Sequence, residues 1–84
     1  MARAAEQHHS VEITVNNRPV EVQGPKISGL EIKQAAIDGG IPIELNFVLS
    51  EEIGPRKTRI VGDKDVVTVN KNSKFIAVAP DDNS

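Results

Sequence analysis

The residues best placed to do chemistry outside a folded body lie at the end of the chain, where an apolar stretch gives way to a polar tail. The closing sequence FIAVAPDDNS ends in Pro80, Asp81, Asp82, Asn83 and Ser84. Pro80 has no amide hydrogen for a strand ladder, so we predict that the last strand ends there and that a flexible tail follows. Fully extended, this tail reaches at most about 17 Å. It either presents its terminal carboxylate to another protein or is a frayed, solubilising terminus.

Side chains suited to catalysis or metal binding are few and are not grouped. His8 and His9 are adjacent, but no third ligand follows at helical or hairpin spacing, so a disordered leader is the better interpretation. Asp63 and Asp65 lie in a predicted turn, where solvated carboxylates are commoner than metal ligands. Ser73 has no partner that could activate it. The sequence therefore predicts no catalytic residue, no bound metal and no cofactor.

Three basic residues, Arg56, Lys57 and Arg59, lie close together after a predicted turn. A basic group of this kind can attract an acidic partner, so it is a candidate docking patch. The competing interpretation is a solvated strand edge.

Length and composition restrict the protein to one small domain. A chain of 84 residues buries only roughly 60% of the surface that its unfolded form exposes, which leaves little core for an enclosed active site. The chain has 0 cysteines, which excludes disulfides, thiolate metal sites, iron–sulfur clusters and a cysteine nucleophile. This cysteine usage is consistent with a reducing cytoplasm.

Neither a membrane nor a nucleic acid is an expected partner. The apolar runs are far shorter than the roughly 20 residues that a membrane span requires, and the N-terminus has no hydrophobic signal region. The formal net charge is -2 and the only aromatic residues are Phe47 and Phe75, so phosphate attraction and base stacking are both weak. We expect a cytoplasmic protein that is monomeric when free.

A β-hairpin is predicted at the start of the domain. Val11, Ile13 and Val15 alternate with polar residues, which is typical of a half-buried strand. The Asn-Asn pair that follows suits a tight turn, because asparagine tolerates positive φ angles. Pro19 in the returning strand predicts that this strand lies at an edge of the sheet.

One helix is predicted over Gly29–Asp38. Ser28 and Glu31 have the spacing of a capping box, and Ile32 begins an apolar stripe at helical spacing. The two glycines after the helix offer a left-handed stop.

The later segments alternate or are apolar enough for strands, with EEIGP as a turn between the first two of them. The predicted strands are 43–50, 57–61, 66–69 and 74–79. A helix between a hairpin and later strands has one apolar surface to cover, which is a face of a mixed sheet. The predicted fold is therefore α+β, a β-grasp with four to five strands and one helix. It spans residues 11–79, after a leader over 1–10 and before the tail at 80–84.

The β-grasp hosts several functions, and the sequence excludes one of them and disfavours another. A plant-type ferredoxin needs four cysteines for its cluster, whereas this chain has 0. A sulfur carrier ends in two glycines whose carboxylate becomes a thiocarboxylate, whereas this chain ends in Asp82, Asn83 and Ser84.

Four segments, in order, resemble those of a known family: VEITVNNRPVEVQG, ISGLEIKQAAI, the helix exit DGGIP and the closing KFIAVAP. Their order and spacing over residues 11–80 resemble the ubiquitin-like superfamily and, within it, the bacterial multiubiquitin domains.

The resemblance implies a protein modifier that is not itself an enzyme. Members of this family are encoded beside relatives of E1 activating enzymes, E2 conjugating enzymes and deconjugating metallopeptidases, which are the implied partners. The C-terminal carboxylate would be adenylated by ATP, passed to an enzyme nucleophile and joined to a target. Bacterial antiphage defence is the implied setting.

The tail differs from that of ubiquitin at its last residues, which an activating enzyme would have to admit to its channel. The terminal glycines of ubiquitin fit a narrow channel, whereas Asp82, Asn83 and Ser84 have wider, polar side chains. An activating partner would therefore need a roomier or basic channel, or processing would expose another end, for instance after Asn83.

Ubiquitin-like proteins are commonly bound through an apolar patch on the third and last strands of the sheet, and the resemblance implies an equivalent here. Val48 would lie on that face with one of two pairs, Ile76 with Val78 or Phe75 with Ala77, because alternation sends the other pair to the core. We select Val48, Ile76 and Val78 as the candidate docking residues. A non-covalent interaction module that docks through this face is the alternative to a modifier.

Overall fold

The computed structural model describes residues 9–80, which form seven strands and one helix. In chain order the elements are β1 (His9–Val15), β2 (Arg18–Gly24), β3 (Lys26–Ser28), α1 (Gly29–Asp38), β4 (Val48–Gly54), β5 (Lys57–Val61), β6 (Val66–Thr68) and β7 (Lys74–Val78). Within the described residues, no helix has both the length and the apolarity that crossing a membrane requires.

Five of the strands form one mixed sheet, and α1 packs across one face of it. The strand order is β2-β1-β7-β4-β5, with β1 and β7 parallel and the other neighbours antiparallel. The core lies between the helix and the sheet, where Ile13, Ile32, Leu49 and Phe75 are fully buried. The predicted β-grasp fold is confirmed, with five strands in its main sheet.

The opening hairpin has the predicted turn and the predicted edge. Asn16 and Asn17 have φ angles of 52° and 66°, as the tightest hairpin turns require. The second strand, β2, is at the end of the strand order. Pro19 therefore removes no hydrogen bond from the interior of the sheet.

The first strand begins earlier than the sequence predicts. The predicted leader extends to residue 10, whereas β1 begins at His9, because His9 and Ser10 pair with the last residues of β2. Polar residues at the exposed start of a strand leave no alternation signal, so cross-strand pairing decides this boundary. The rest of the predicted leader, residues 1–8, lies outside the described residues.

The helix has the predicted bounds and the predicted cap. The Glu31 amide donates to the Ser28 hydroxyl at 3.2 Å, and the Ser28 amide donates to the Glu31 carboxylate at 2.9 Å. The Ser28 hydroxyl also donates to the Glu31 carboxylate at 3.0 Å. The hydrogen bonds that this carboxylate accepts, first from the Ser28 amide and then from the Ser28 hydroxyl, lower the pKa of Glu31 below its usual value. The stop is only partly as predicted, because Gly39 has a φ of -86° and Gly40, with a φ of 93°, supplies the left-handed backbone.

The third long strand lies further along the chain than the alternation at 43–50 predicts. β4 spans Val48–Gly54, so EEIG belongs to the strand and the turn is confined to the next two residues. Leu45, predicted to alternate into the sheet, is 42% exposed in the loop before it. Alternation shows that a segment can be a strand, whereas pairing with β5 and β7 decides which residues join it.

The sequence does not predict that β3 pairs with β6 in a small second sheet. Ile27 and Val67 pair across it and are 5% and 9% exposed, so the small sheet closes one side of the core. A strand of three residues is too short to show alternation, and only its partner defines it.

Candidate functional site

The last strand of the sheet divides its side chains between the core and the open face, which is the face away from α1. Phe75 and Ala77 are 1% and 4% exposed and belong to the core. Successive side chains of a strand point to opposite faces, so Ile76 and Val78 lie on the open face. Alternation alone left the choice between the two pairs open, and tertiary packing puts Ile76 and Val78, the pair selected above, outside the core.

Neighbouring strands extend the open face into an apolar surface. Val48 pairs with Val78, while Ser50 pairs with Ile76 on one side and with Ile60 on the other. The exposed fractions are 37% for Val48, 51% for Val78 and 69% for Ile60. We call Val48, Ile60, Ile76 and Val78 the outer patch. Exposed apolar side chains that share one face are typical of a docking surface.

Ile60 is the member of the outer patch that the sequence reasoning missed. Ile60 and Val61 are adjacent in β5, and two successive side chains of a strand cannot both enter the core. Val61 is 3% exposed and Ile60 is 69% exposed. The adjacent apolar pair was therefore the available signal, although it does not say which residue faces outward.

A buried lysine fixes the loop that leads into the outer patch. The Lys33 side chain on α1 is 5% exposed, and the Asp63 carboxylate accepts from its ammonium at 2.7 Å. The ammonium also donates to the Leu45 carbonyl at 2.6 Å and to the Phe47 carbonyl at 2.9 Å. Three acceptors for three hydrogens offset the cost of burying the charge. Because Phe47 precedes Val48, this cluster sets where β4 enters the sheet.

The start of α1 makes close backbone contact with the turn after β5. The Gly29 amide donates to the Asp65 carbonyl at 3.0 Å, and a Cβ on Gly29 would overlap the Gly62 carbonyl oxygen. The Gly62 amide donates to the Asp65 carboxylate at 2.8 Å. We call Gly29, Lys33, Gly62, Asp63 and Asp65 the helix junction.

The helix junction explains the two aspartates that were predicted to be solvated turn residues. Asp63 is paired with Lys33 and Asp65 accepts within its own turn. Both aspartates are exposed, as predicted, but their carboxylates also accept within the domain, and the sequence reasoning missed Lys33 as the partner of Asp63. Among residues 9–80, no group of three or more histidine, aspartate or glutamate side chains is arranged to hold a metal ion.

The three basic residues of the candidate docking patch are divided between a turn and the face opposite the outer patch. Arg56 lies in the β4–β5 turn with a φ of 62°. Alternation puts Lys57 and Arg59 on the same side of β5 as the buried Val61. Arg59 donates to the Glu51 carboxylate at 2.8 Å, and the Glu51 side chain is 13% exposed. One of the three charges is therefore engaged in an ion pair within the domain.

A side-chain amide fixes the position of the last strand. The Asn16 side chain accepts from the Ala77 amide at 2.8 Å and donates to the Ala77 carbonyl at 3.1 Å. The backbone amide of Asn16 donates to the Phe75 carbonyl at 3.0 Å. The sequence predicts Asn16 only as a turn residue, whereas the structure also gives it the role of extending the β1–β7 ladder.

The chain leaves the sheet beside the outer patch. β7 ends at Val78, which pairs with Val48. Ala79 is exposed and Pro80 is half-buried, and the rest of the predicted tail, residues 81–84, lies outside the described residues. The first part of the tail is thus next to the surface that the sequence selected for docking.

A five-stranded mixed sheet crossed by one helix, with an apolar outer face, defines a ubiquitin-like β-grasp domain. The family model for multiubiquitin matches residues 11–81. The chain therefore belongs to the multiubiquitin family. No match was found among curated proteins or among solved structures.

Proposed function

We propose that this chain is a bacterial ubiquitin-like modifier, activated at its C-terminal carboxylate by an E1-like enzyme and passed to an E2-like enzyme for conjugation to targets. The observation that carries the proposal is the multiubiquitin match over residues 11–81. The chain is the substrate and cargo of the pathway, and the partner enzymes supply the catalysis. A deconjugating peptidase would release it again.

The proposed chemistry uses the carboxylate at the end of the segment after Pro80. A carboxylate oxygen attacks the α-phosphorus of ATP, and pyrophosphate leaves to give an acyl adenylate. A thiolate of the activating enzyme then attacks the acyl carbon and displaces AMP, forming a thioester. A nucleophile of the target finally displaces the thiolate and loses its proton. The carboxylate belongs to Ser84 or to an end that processing exposes.

The position of the outer patch supports this proposal. A partner that holds Val48 and Val78 is next to Pro80, where the tail begins. Residues 80–84 reach at most about 17 Å from there. One enzyme can therefore hold the domain through the outer patch and take the tail into its active site.

The test is to incubate the full chain with an E1-like enzyme and ATP, and to measure adduct formation by intact mass. The matched control is a semisynthetic chain with a C-terminal carboxamide, which keeps every side chain and lacks only the carboxylate. A second control lacks residues 80–84. We expect a thioester adduct, cleaved by hydroxylamine, in the full chain alone. An equal adduct in the carboxamide control would place the linkage elsewhere and contradict the proposal.

The alternative is a non-covalent module that docks through the outer patch, and the 69% exposure of Ile60 favours it. Ile60→Asp should then weaken binding to the E1-like protein, while Thr68→Asp, at an exposed position of β6 in the small second sheet, serves as the charge-matched control. Binding that depends on Ile60, with no adduct in any sample although the enzyme is active, would favour this alternative.

Antiphage defence is the cellular setting that we propose for conjugation. Phage should form fewer plaques on cells that carry this gene together with E1-like and E2-like enzymes than on cells whose copy of this gene lacks codons 80–84. Equal plaque numbers would contradict the role in antiphage defence. They would not contradict the proposed conjugation, which the assay with purified enzyme tests.

A further inference from the structure

The main sheet ends at β5, and the backbone of this strand is open on its outer side. Strand β5 is last in the strand order, and within residues 9–80 it pairs with β4 alone. A strand edge with unpaired donors and acceptors is a template for an added strand.

The hydrogen bonds of Asn16 establish the direction of the backbone groups in the middle of the sheet. The Asn16 side chain, on the β1 side of β7, bonds both the amide and the carbonyl of Ala77. Successive residues of a strand direct their backbone groups to opposite sides, so those of Ile76 face β4. Ile76 pairs there with Ser50, whose backbone groups therefore face β7.

The same alternation identifies the amides at the free edge of β5. Because the backbone groups of Ser50 face β7, those of the next residue, Glu51, face β5, where Arg59 is the partner. Thr58 and Ile60 flank Arg59 in the strand. Their amides and carbonyls therefore point away from β4 and toward the free edge.

The helix side of this edge is basic. Lys57 is exposed and has no ion-pair partner among residues 9–80, and Arg59 remains 59% exposed although it donates to Glu51. Side chains of neighbouring strands contact each other when they lie on the same face. Carboxylates on the helix side of an added strand would therefore meet both cations. A second copy paired through its own β5 would instead bring two sets of these cations together and would be repelled.

The open side of the edge suits apolar side chains. Ile60 is 69% exposed there, and Glu52, which pairs with Thr58, would repel a carboxylate on this side. Beyond Val61, a cleft of about 270 Å³ separates β5 from β6 and includes Val66, which is 63% exposed. The edge therefore selects a strand that is acidic on one side and apolar on the other.

We propose that the free edge of β5 is a docking site for an extended segment of a partner protein in which acidic and apolar residues alternate. The segment adds to β5 as a sixth strand of the main sheet and accepts hydrogen bonds from the Thr58 and Ile60 amides. Its carboxylates meet Lys57 and Arg59 on the helix side, and its apolar side chains extend the outer patch beyond Ile60. This site is independent of the terminal carboxylate and of the proposed conjugation.

The test uses the full chain, labelled with ¹⁵N, and a short synthetic peptide in which valine and glutamate alternate. Amide hydrogen exchange near neutral pH should slow at Thr58 and Ile60, because the peptide accepts from these amides. Arg59 and Val61 should stay unchanged, because β4 already accepts from them. A matched peptide with lysine in place of glutamate should leave all four rates unchanged. Slowed exchange with both peptides, with neither peptide, or along β2 instead would overturn the proposal.

Substitutions at Thr58 separate the backbone contribution from the side chain and leave the outer patch in place. Thr58→Pro removes an outward amide hydrogen without breaking a bond to β4 and should weaken binding of the valine–glutamate peptide about fivefold, the effect of one lost hydrogen bond. Thr58→Ala keeps that hydrogen and should bind within about twofold of the wild type. Equal weakening by the two variants, with far-UV circular dichroism unchanged in both, would contradict strand addition.

The charge requirement has its own matched pair of variants, which remains informative if Thr58→Pro fails to fold. Lys57→Glu replaces an attraction with a repulsion and should weaken binding about fivefold. Arg18→Glu makes the same change in net charge at an exposed position on β2, the opposite edge of the sheet. Four strand spacings, or about 19 Å, exceed the Debye length of about 8 Å at physiological salt, so its effect should be less than about twofold. Equal effects of the two variants would show attraction by net charge alone and overturn the site.

Discussion

The helix junction buries a charged side chain, whereas the outer patch exposes an apolar one. Each is the reverse of the usual distribution of side chains between core and surface. At the junction, the side chain of the cation Lys33 is 5% exposed, whereas in the outer patch the apolar Ile60 is 69% exposed. The buried charge has acceptors on three sides at 2.6 to 2.9 Å. The exposed isoleucine side chain faces solvent and has no such partners within the fold.

The difference between the two regions indicates which one the fold uses and which one remains for partners. The hydrogen bonds and the ion pair of the junction have both partners within the domain, and they join α1 to the loops before β4 and after β5. The outer patch leaves its apolar surface unused by the fold, so its side chains can be changed at little cost in stability. Function is therefore expected at the patch, and stability at the junction.

The strongest test of the junction is Gly29→Ala. The added methyl group would overlap the Gly62 carbonyl oxygen, so backbone must shift, and we expect a loss of about 3 kcal/mol in the free energy of unfolding. The chain has no tryptophan or tyrosine, so urea unfolding is best followed by far-UV circular dichroism. Gly54→Ala is the matched control, since nothing lies within 4 Å of its Cβ position. Equal losses in the two variants would contradict the close-approach explanation.

The second test removes the charge at the junction. Lys33→Met leaves the Leu45 and Phe47 carbonyls without their donor, and we expect a loss of about 2 kcal/mol in urea unfolding. Asp63→Asn should cost less than about 1 kcal/mol, because the Asp63 side chain is 52% exposed and water can replace it as a partner.

An exposed lysine supplies the control for this test. Lys26→Met, outside the junction, should change stability by less than about 0.5 kcal/mol. A Lys33→Met variant as stable as Lys26→Met would mean that the buried ammonium does not hold the loop before β4.

The capping box beside the junction predicts a smaller, pH-dependent effect. Because the pKa of Glu31 is lowered by folding, its contribution is fully present above the pKa of the unfolded chain and is lost as the pH falls through the folded value. The wild type should exceed Glu31→Gln by less than about 1 kcal/mol at neutral pH. Urea unfolding of both proteins across acidic pH should show this difference shrinking. A difference that grows on acidification would have the wrong sign for a lowered pKa.

The smallest expected effect on stability is in the outer patch. Ile60→Thr keeps a β-branched side chain on the exposed face and should change the free energy of unfolding by less than about 0.5 kcal/mol. Val61→Thr, one residue along, buries a hydroxyl at a position that is 3% exposed and should cost about 1.5 kcal/mol. Similar losses for both variants would place Ile60 in the core and remove the contrast between the two regions.

Local signals explain why so much of the fold could be predicted. The paired asparagines, the capping box at Ser28 and Glu31 and the alternation in β1 each act within a few residues, and each was found in the structure. The start of β4 and the β3–β6 pair were missed, since both depend on partners distant in the chain. For the outer patch, Val48 was selected correctly as an exposed position, while Ile60 was overlooked.

The sequence by itself determined the order of elements, the turn, the helix and its cap, because these depend on backbone preferences and on hydrogen bonds between near neighbours. Only the tertiary structure decided that Ile76 and Val78 face outward, that Lys33 is buried and that β5 offers an open edge. The physical reason is that alternation fixes which residues share a face, whereas packing against the helix and neighbouring strands decides which face is buried.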